Sequence, residues 1–163
     1  MFPENLPHSD AGPTFPPKPR YAARAERRAW SVNILVVEDD LADTSLILDV
    51  LRRHPNVAAA HATDAPDHAL RQLSAGQLRP DLVLLDIRMP RLDGFEFLDR
   101  FRRIPAMFDT PVVFLTTSAL ASDVIEARHS SACSYIVKPD TYDELKVRLD
   151  KAIKRVVSGG GSR

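Results

Sequence analysis

A short apolar run at residues 82–85, Leu-Val-Leu-Leu, stops abruptly at Asp86 and constrains the fold more than any other stretch. Pro80 precedes the run and Pro90 follows it closely. A run of this length between turn residues is typical of a strand buried on both faces, and such strands belong to parallel sheets covered by helices. In open α/β sheets the functional site lies beyond the carboxyl ends of the strands, where Asp86 stands. A carboxylate there needs a physical reason, because an unpaired buried charge is costly.

Length and charge exclude several classes of protein. The 163 residues suffice for one domain of ordinary size with extensions. Lys plus Arg equals Asp plus Glu at 22 each, so no overall charge favours a nucleic-acid partner. No apolar stretch approaches the ~20 residues of a membrane span, and the N-terminus lacks the apolar core of a signal peptide. The single cysteine, Cys133, excludes a disulfide framework, and we therefore expect a cytoplasmic protein.

The pattern along the chain predicts one folded domain with two extensions. Residues 1–30 are rich in Pro and basic residues, and we expect a partly disordered extension there. Residues 31–157 form the predicted domain, and residues 158–163 form a flexible Gly-rich tail. Within the domain, apolar strands alternate with helices, which predicts right-handed βαβ units and a parallel α/β sheet. The strands are predicted at residues 32–37, 57–62, 82–85, 112–115 and 133–137, and the helices at 42–53, 64–75, 95–103, 121–130 and 141–157.

Polar residues of particular types follow four of the predicted strands. These residues are Glu38 and Asp39 after the first strand, Asp86 after the third, Thr116 at the fourth and Lys138 at the fifth. Because parallel strands end at the same sheet edge, we expect these side chains to converge. Three carboxylates in one pocket repel one another unless a cation relieves them, and all-oxygen ligands suit Mg²⁺. A lysine and a hydroxyl opposite them suit a phosphoryl group, so the set implies phosphoryl transfer with Asp86 as nucleophile.

Four segments, in this order, resemble the receiver domain of two-component response regulators. They are residues 36–40 (Val-Val-Glu-Asp-Asp), 86–94 (Asp-x-x-Met-Pro-x-x-Asp-Gly), 111–116 (Pro-Val-Val-Phe-Leu-Thr) and 135–139 (Tyr-Ile-Val-Lys-Pro). The resemblance extends over residues 33–157. It implies a flavodoxin-like (βα)5 doubly wound parallel sheet with strand order 2-1-3-4-5.

The resemblance also implies which residues handle the metal and the phosphate. Asp86 would accept a phosphoryl group from a histidine kinase. Asp39, Asp86 and the backbone carbonyl of Arg88 would bind Mg²⁺ directly, and Glu38 would bind it through water. A simpler structural role is open for this segment, since acids favour the start of a helix, and Asp40 is the best candidate for an N-cap.

Three further residues would respond to the phosphoryl group. By resemblance, Thr116 and Lys138 contact its oxygens and Tyr135 is an aromatic switch residue, although a half-buried strand tyrosine is an equally good interpretation. Receivers place the lysine through a tight turn, and a cis bond is expected between Lys138 and Pro139.

The expected function is that of a single-domain response regulator without an output domain. Phosphorylation would change the face made by helix 121–130, strand 133–137 and helix 141–157, which would bind a partner or pair with a second copy. The exposed apolar contacts expected there are Val124, Ile136 and Tyr142.

The residues chosen between Thr116 and Tyr135 are most similar to those of stand-alone receivers, including those that partner bacterial phytochromes. Two alternatives stay open. One is a phosphate sink or shuttle in a phosphorelay. The other is a phosphatase with an aspartyl nucleophile, which would need a substrate pocket and usually a cap domain. We expect no enzyme beyond self-catalysed phosphorylation and dephosphorylation.

Overall fold

A computed structural model describes residues 31–117, 120–132 and 134–159. Its elements, in chain order, are β1 (Val32–Val37), α1 (Leu41–Arg52), β2 (Val57–Thr63), α2 (Pro66–Ser74), β3 (Leu82–Leu85), α3 (Gly94–Arg102), a 3-10 turn (Pro105–Met107), β4 (Val112–Thr116), α4 (Ala121–His129), β5 (Ser134–Val137) and α5 (Tyr142–Gly159). The strands form one parallel sheet in the order β2-β1-β3-β4-β5. This order confirms the predicted flavodoxin-like fold.

Side chains at the helix ends explain where several helices begin and end. The carboxylate of Asp40 accepts a hydrogen bond from the Asp43 N–H at 2.9 Å, which confirms Asp40 as the N-cap of α1. Asp93 caps α3 in the same way through the Glu96 N–H at 2.9 Å. Gly76 follows α2 with φ +71°, a conformation that favours glycine and ends a helix.

Two apolar layers cover the sheet, one on each face. One layer packs β1, β3 and β4 against α2 and α3, and it includes the buried rings of Phe97, Phe101 and Phe114. The other packs the sheet against α1 and α5, through side chains such as Leu51 and Leu149. Since successive strand residues point to opposite layers, all four residues of β3 are buried, as the apolar run predicted.

Some predicted boundaries differ from the structure. The second helix begins at Pro66 rather than at residue 64, because proline fits the first helical position and the Thr63 hydroxyl accepts the Ala65 N–H. The last helix continues to Gly159, two residues into the predicted tail. Residues 160–163, the predicted extension 1–30, Ser118, Ala119 and Cys133 lie outside the described residues. Among the helices that the structure describes, none combines the length and apolar character needed to cross a membrane.

Candidate phosphorylation and metal site

Backbone hydrogen bonds align the strand ends that carry the site. The N–H of Asp86 donates to the carbonyl of Val37 at 3.0 Å, which sets the end of β3 beside the end of β1. The N–H of Lys138 donates to the carbonyl of Thr116 at 2.8 Å, which does the same for β5 and β4. Backbone pairing therefore brings Asp86, Thr116 and Lys138 to one edge of the sheet, beside Val37, which immediately precedes Glu38.

Three carboxylates meet at this edge. Glu38, Asp39 and Asp86 each offer one oxygen, and these oxygens lie within 4.8 Å of one another. Glu38 is 3% exposed and Asp86 is 5% exposed, so two of the charges are removed from water. Among the described residues, Oδ1 of Asp86 has no hydrogen-bond partner. A buried carboxylate oxygen without a donor, next to two other carboxylates, fits an oxygen-liganded divalent cation such as Mg²⁺.

Lys138 reaches into the same cluster from the end of β5. Its ammonium group donates to Glu38 Oε2 at 2.6 Å and to Asp43 Oδ2 at 2.7 Å, and it lies 4.0 Å from Asp86 Oδ1. Asp43 was not predicted as a site residue. Its position in the first turn of α1, four residues after Asp39, is the sequence signal that places it near the strand end.

Burial and ion pairing shift the pKa values of two groups at the site in the same direction. Burial raises the pKa of Glu38, and its hydrogen bond from Lys138 does not fully offset this effect. Burial alone would lower the pKa of Lys138, but hydrogen bonds to Asp43 and Glu38 outweigh burial and raise that pKa. Glu38 therefore holds its proton more tightly because it is buried, and Lys138 does so because neighbouring carboxylates stabilise its charged form.

The predicted switch residues occupy β4 and β5. Thr116 is fully buried at the end of β4. The ring of Tyr135 is partly buried, and its centroid lies 6.5 Å from that of Phe114 with the rings tilted by 59°. The packing of Tyr135 on the apolar layer suits a strand aromatic, and its place on β5, the strand that pairs with β4 and Thr116, also suits a switch residue. The role of Tyr135 stays a prediction.

The prediction of a cis bond between Lys138 and Pro139 was wrong. The bond is trans. The trans isomer of an X–Pro bond is favoured by roughly 0.5–1 kcal/mol in the absence of other constraints. The lysine reaches Glu38 and Asp43 with this geometry, so the contacts of its ammonium group do not require the cis isomer.

Gly94, in the second of the quoted motifs, has no room for a side chain beside Asp86. A Cβ at Gly94 would lie 2.4 Å from the carbonyl oxygen of Asp86 and 2.9 Å from the Cα of Ile87. The Gly94 N–H donates to the Ile87 carbonyl at 2.9 Å, which draws the start of α3 against the loop. Close backbone approach therefore explains the glycine after Asp93.

Arg88 follows Asp86 by two residues and lies in the loop between β3 and α3. Its guanidinium forms two hydrogen bonds with Asp123 of α4, at 2.5 and 3.2 Å. Asp123 was not predicted as a residue connected with the site.

The apolar contacts expected on the α4, β5 and α5 face differ in part from the structure. Val124 and Ile136 are partly buried rather than exposed. Tyr142 is exposed, but its hydroxyl donates to Asp49 of α1 at 2.6 Å, which draws the ring toward α1. Besides Tyr142, the large apolar side chains that are exposed near or within α4 and α5, among those that the structure describes, are Leu120, Ile125 and Val147.

A comparison with known families identifies the class of this chain. The family model described as "Response regulator receiver domain" matches residues 34–150. That span contains the whole carboxylate cluster and Lys138. The chain therefore belongs to the family of response regulator receiver domains, whose members are generally phospho-acceptors rather than enzymes.

Individual relatives and solved structures agree with this assignment. The chain is 34% identical to the "DNA-binding dual master transcriptional regulator RpaA" of Synechocystis sp. over 122 residues, covering 75% of this chain and 49% of that protein. It is 33% identical to the "Probable methanogenesis regulatory protein FilR2" of Methanothrix harundinacea over 122 residues, covering 72% of this chain and 79% of that protein. The chain thus spans about half the length of the first of these relatives.

Two of the similar solved structures are a phosphorylated and a metal-bound response regulator. The phosphorylated cyanobacterial phytochrome response regulator RcpA is similar with a TM-score of 0.70 and 29% identity, over 79% of this chain and 96% of that chain. The Mn²⁺-bound form of response regulator Rcp1 is similar with a TM-score of 0.64 and 30% identity, over 74% of this chain and 90% of that chain.

Proposed function

We propose that this chain is a response regulator that accepts a phosphoryl group on Asp86 from a histidine kinase. The observation that carries the proposal is the meeting of Asp86 with Glu38, Asp39 and Lys138 at the carboxyl edge of the sheet. The carboxylate of Asp86 is buried, and its Oδ1 accepts no hydrogen bond within the described chain, so the group keeps free acceptor capacity for a cation and for a phosphoryl group.

In the proposed transfer, an Asp86 oxygen forms a bond to phosphorus while the phosphorus–nitrogen bond of a phosphohistidine breaks. The leaving imidazole nitrogen takes up a proton. Lys138, 4.0 Å from Asp86, is close enough to compensate the negative charge that arrives. Phosphoryl transfer needs mainly positioning and charge compensation, which this arrangement supplies.

The carboxylates of Glu38, Asp39 and Asp86 would hold Mg²⁺ together with the backbone carbonyl of Arg88. When bound, the cation neutralises charge on the phosphoryl oxygens. The fit rests on the three converging carboxylate oxygens, two of which belong to buried residues. The similar response regulator Rcp1 is known in an Mn²⁺-bound form, which supports the same proposal.

The signal would leave through the face formed by α4, β5 and α5. Thr116 ends β4 and Lys138 follows β5, and β5 also carries Tyr135. Exposed apolar side chains such as Ile125 and Val147 would then contact a downstream protein or a second copy of the chain.

A sensor histidine kinase is the proposed donor, and a phytochrome kinase is the specific candidate. RcpA is described as a phytochrome response regulator, and the similarity covers 96% of its chain.

A phosphorylation assay tests the proposal. The protein is incubated with acetyl phosphate and Mg²⁺, and its intact mass is followed together with released phosphate. We expect one phosphoryl group per chain, dependence on Mg²⁺ that is abolished by a chelator, and no multiple turnover of phosphate esters. Continuous turnover of phosphate esters would favour the phosphatase instead, and absence of any phosphoryl adduct would contradict the proposal.

A further inference from the structure

An ion pair joins the loop after Asp86 to the helix of the proposed output face. The guanidinium of Arg88 bonds both carboxylate oxygens of Asp123, at 2.5 and 3.2 Å. The Asp123 side chain is only 3% exposed, whereas that of Arg88 is 56% exposed. The pair therefore consists of a buried acid on α4 and a base that extends from the phosphorylation loop toward solvent.

Apart from the Arg88–Asp123 pair, few buried side chains hold α4 against the domain within the part of the helix that the structure describes. Among the α4 side chains that the structure describes, only Asp123 and Ala127 are buried. The neighbouring α3, of the same length, buries Phe97, Leu98 and Phe101. A charged contact thus stands where most helices place apolar ones, and α4 has little other buried side-chain area to retain it.

Removing Arg88 from this buried carboxylate is unfavourable, because the charge then loses a two-pronged ionic partner while it stays largely out of water, even though the Ser122 hydroxyl lies 3.5 Å from Oδ1. If Arg88 leaves Asp123, the carboxylate is best stabilised by returning to water. Asp123 is fixed to α4, so its exposure requires the first turn of that helix to move.

A phosphoryl group on Asp86 would compete for the same guanidinium. It adds about 1.5 to 2 negative charges two residues before Arg88. Arginine binds phosphate in the same two-pronged manner as carboxylate, and its side chain is long and largely exposed here.

We infer that Arg88 and Asp123 form a latch on α4, and that phosphorylation opens it by drawing Arg88 from Asp123 to the phosphoryl group. The inference rests on the proposed function and specifies how that site is coupled to the output face. Asp123 is then a positioning residue, which acts on the site only through Arg88. The alternative is a static brace, in which the pair stays closed whatever is bound at Asp86.

Coupling between two events is reciprocal, so opening the latch must favour binding at Asp86. Beryllofluoride with Mg²⁺ serves as the probe, since it stands in for the phosphoryl group. We expect Asp123→Asn, which weakens the competitor for Arg88, to bind beryllofluoride about fivefold or more tightly than the unaltered protein, as measured by calorimetry. In an Arg88→Ala background the same Asp123→Asn change should have no effect.

Asp99→Asn is the matched control, because Asp99 pairs with Arg103 on α3 in a largely exposed salt bridge. It should leave beryllofluoride affinity unchanged. Equal affinity of Asp123→Asn and the unaltered protein would overturn the latch. An effect of Asp123→Asn that persists without the Arg88 side chain would overturn it as well.

A second measurement needs no ligand at all. Both Arg88→Ala and Asp123→Asn should speed amide exchange in residues 122–129 of the free protein, while residues 94–102 of α3 keep their protection. Unchanged exchange in α4 would overturn the latch even if the unaltered protein binds beryllofluoride. Failure of the unaltered protein to bind beryllofluoride at all would overturn the proposed function, and the latch with it.

Discussion

Nζ of Lys138 lies 4.0 Å from Oδ1 of Asp86, and it is held there by shorter contacts to two other acids. Glu38 and Asp43 occupy two of the three donors of the ammonium group. The third donor is available for the carboxylate of Asp86, or for a phosphoryl oxygen attached to it. The geometry thus keeps a cation next to the nucleophile before any ligand arrives.

Asp43→Asn should lower the free energy of unfolding by about 1 kcal/mol in the presence of a chelator, because it weakens a charge-assisted bond to a largely buried lysine. Urea denaturation of the variant and the unaltered protein measures the change. Asp99→Asn, which alters an exposed pair, should cost no more than about 0.5 kcal/mol. Equal losses in the two variants would mean that Asp43 acts as an ordinary surface acid.

Mg²⁺ should stabilise the protein through Asp39. Ligands that bind only the folded state raise its stability, so the midpoint of thermal unfolding should rise with Mg²⁺ concentration. Asp39→Asn should remove most of this increase. Asp40→Asn is the control, since Asp40 is adjacent and acidic but caps α1 instead. A normal Mg²⁺ response in Asp39→Asn would show that the cation binds elsewhere.

Gly94→Ala should disturb both the fold and the site. The added Cβ would meet backbone atoms of Asp86 and Ile87, which cannot rotate away as a side chain would. We expect a loss of about 1–2 kcal/mol in the free energy of unfolding, together with slower phosphorylation by acetyl phosphate. At Gly159 an added Cβ meets nothing within 4 Å, and Gly159→Ala should preserve both properties. If Gly94→Ala retained the stability and phosphorylation rate of the unaltered protein, close approach would not explain this glycine.

The sequence best predicted those contacts that follow from backbone pairing between strands. The end of each strand at one sheet edge follows from parallel pairing, so the meeting of Glu38, Asp39, Asp86 and Lys138 was predictable. Asp43 was missed because its contact depends on which face of α1 turns toward β5, and the apolar pattern alone did not fix the first turn.

Contacts between side chains that are distant in the sequence were not predicted. The pairing of Arg88 with Asp123 joins a loop to a helix with almost no apolar face, so no periodicity marked it. The hydroxyl of Tyr142 bonds Asp49 across two helices, and this contact likewise has no signature in the sequence. The isomer of the Lys138–Pro139 bond was predicted wrongly because the energy difference between the cis and trans isomers is small.

His61 should make folding stability depend on pH. Burial in β2 lowers the pKa of His61 below its ordinary value, so the folded state favours the neutral ring. Its contribution to stability is therefore fully present above the unfolded pKa of ~6.5 and is lost as pH falls through the folded value. His61→Gln should reduce the fall in stability between pH 7 and pH 5, measured relative to His68→Gln. A pH dependence as steep as that of His68→Gln would contradict this assignment.

Direct identification of the phosphorylated residue tests whether Asp86 is the phospho-acceptor. The protein is treated with acetyl phosphate and Mg²⁺, the acyl phosphate is reduced with borohydride, and the modified peptide is sequenced by mass spectrometry. Asp86→Asn, close to isosteric with the native residue, is the control and should remain folded by circular dichroism. We expect modification at Asp86 alone in the unaltered protein and none in Asp86→Asn. Modification at another residue, or equal modification of Asp86→Asn, would contradict it.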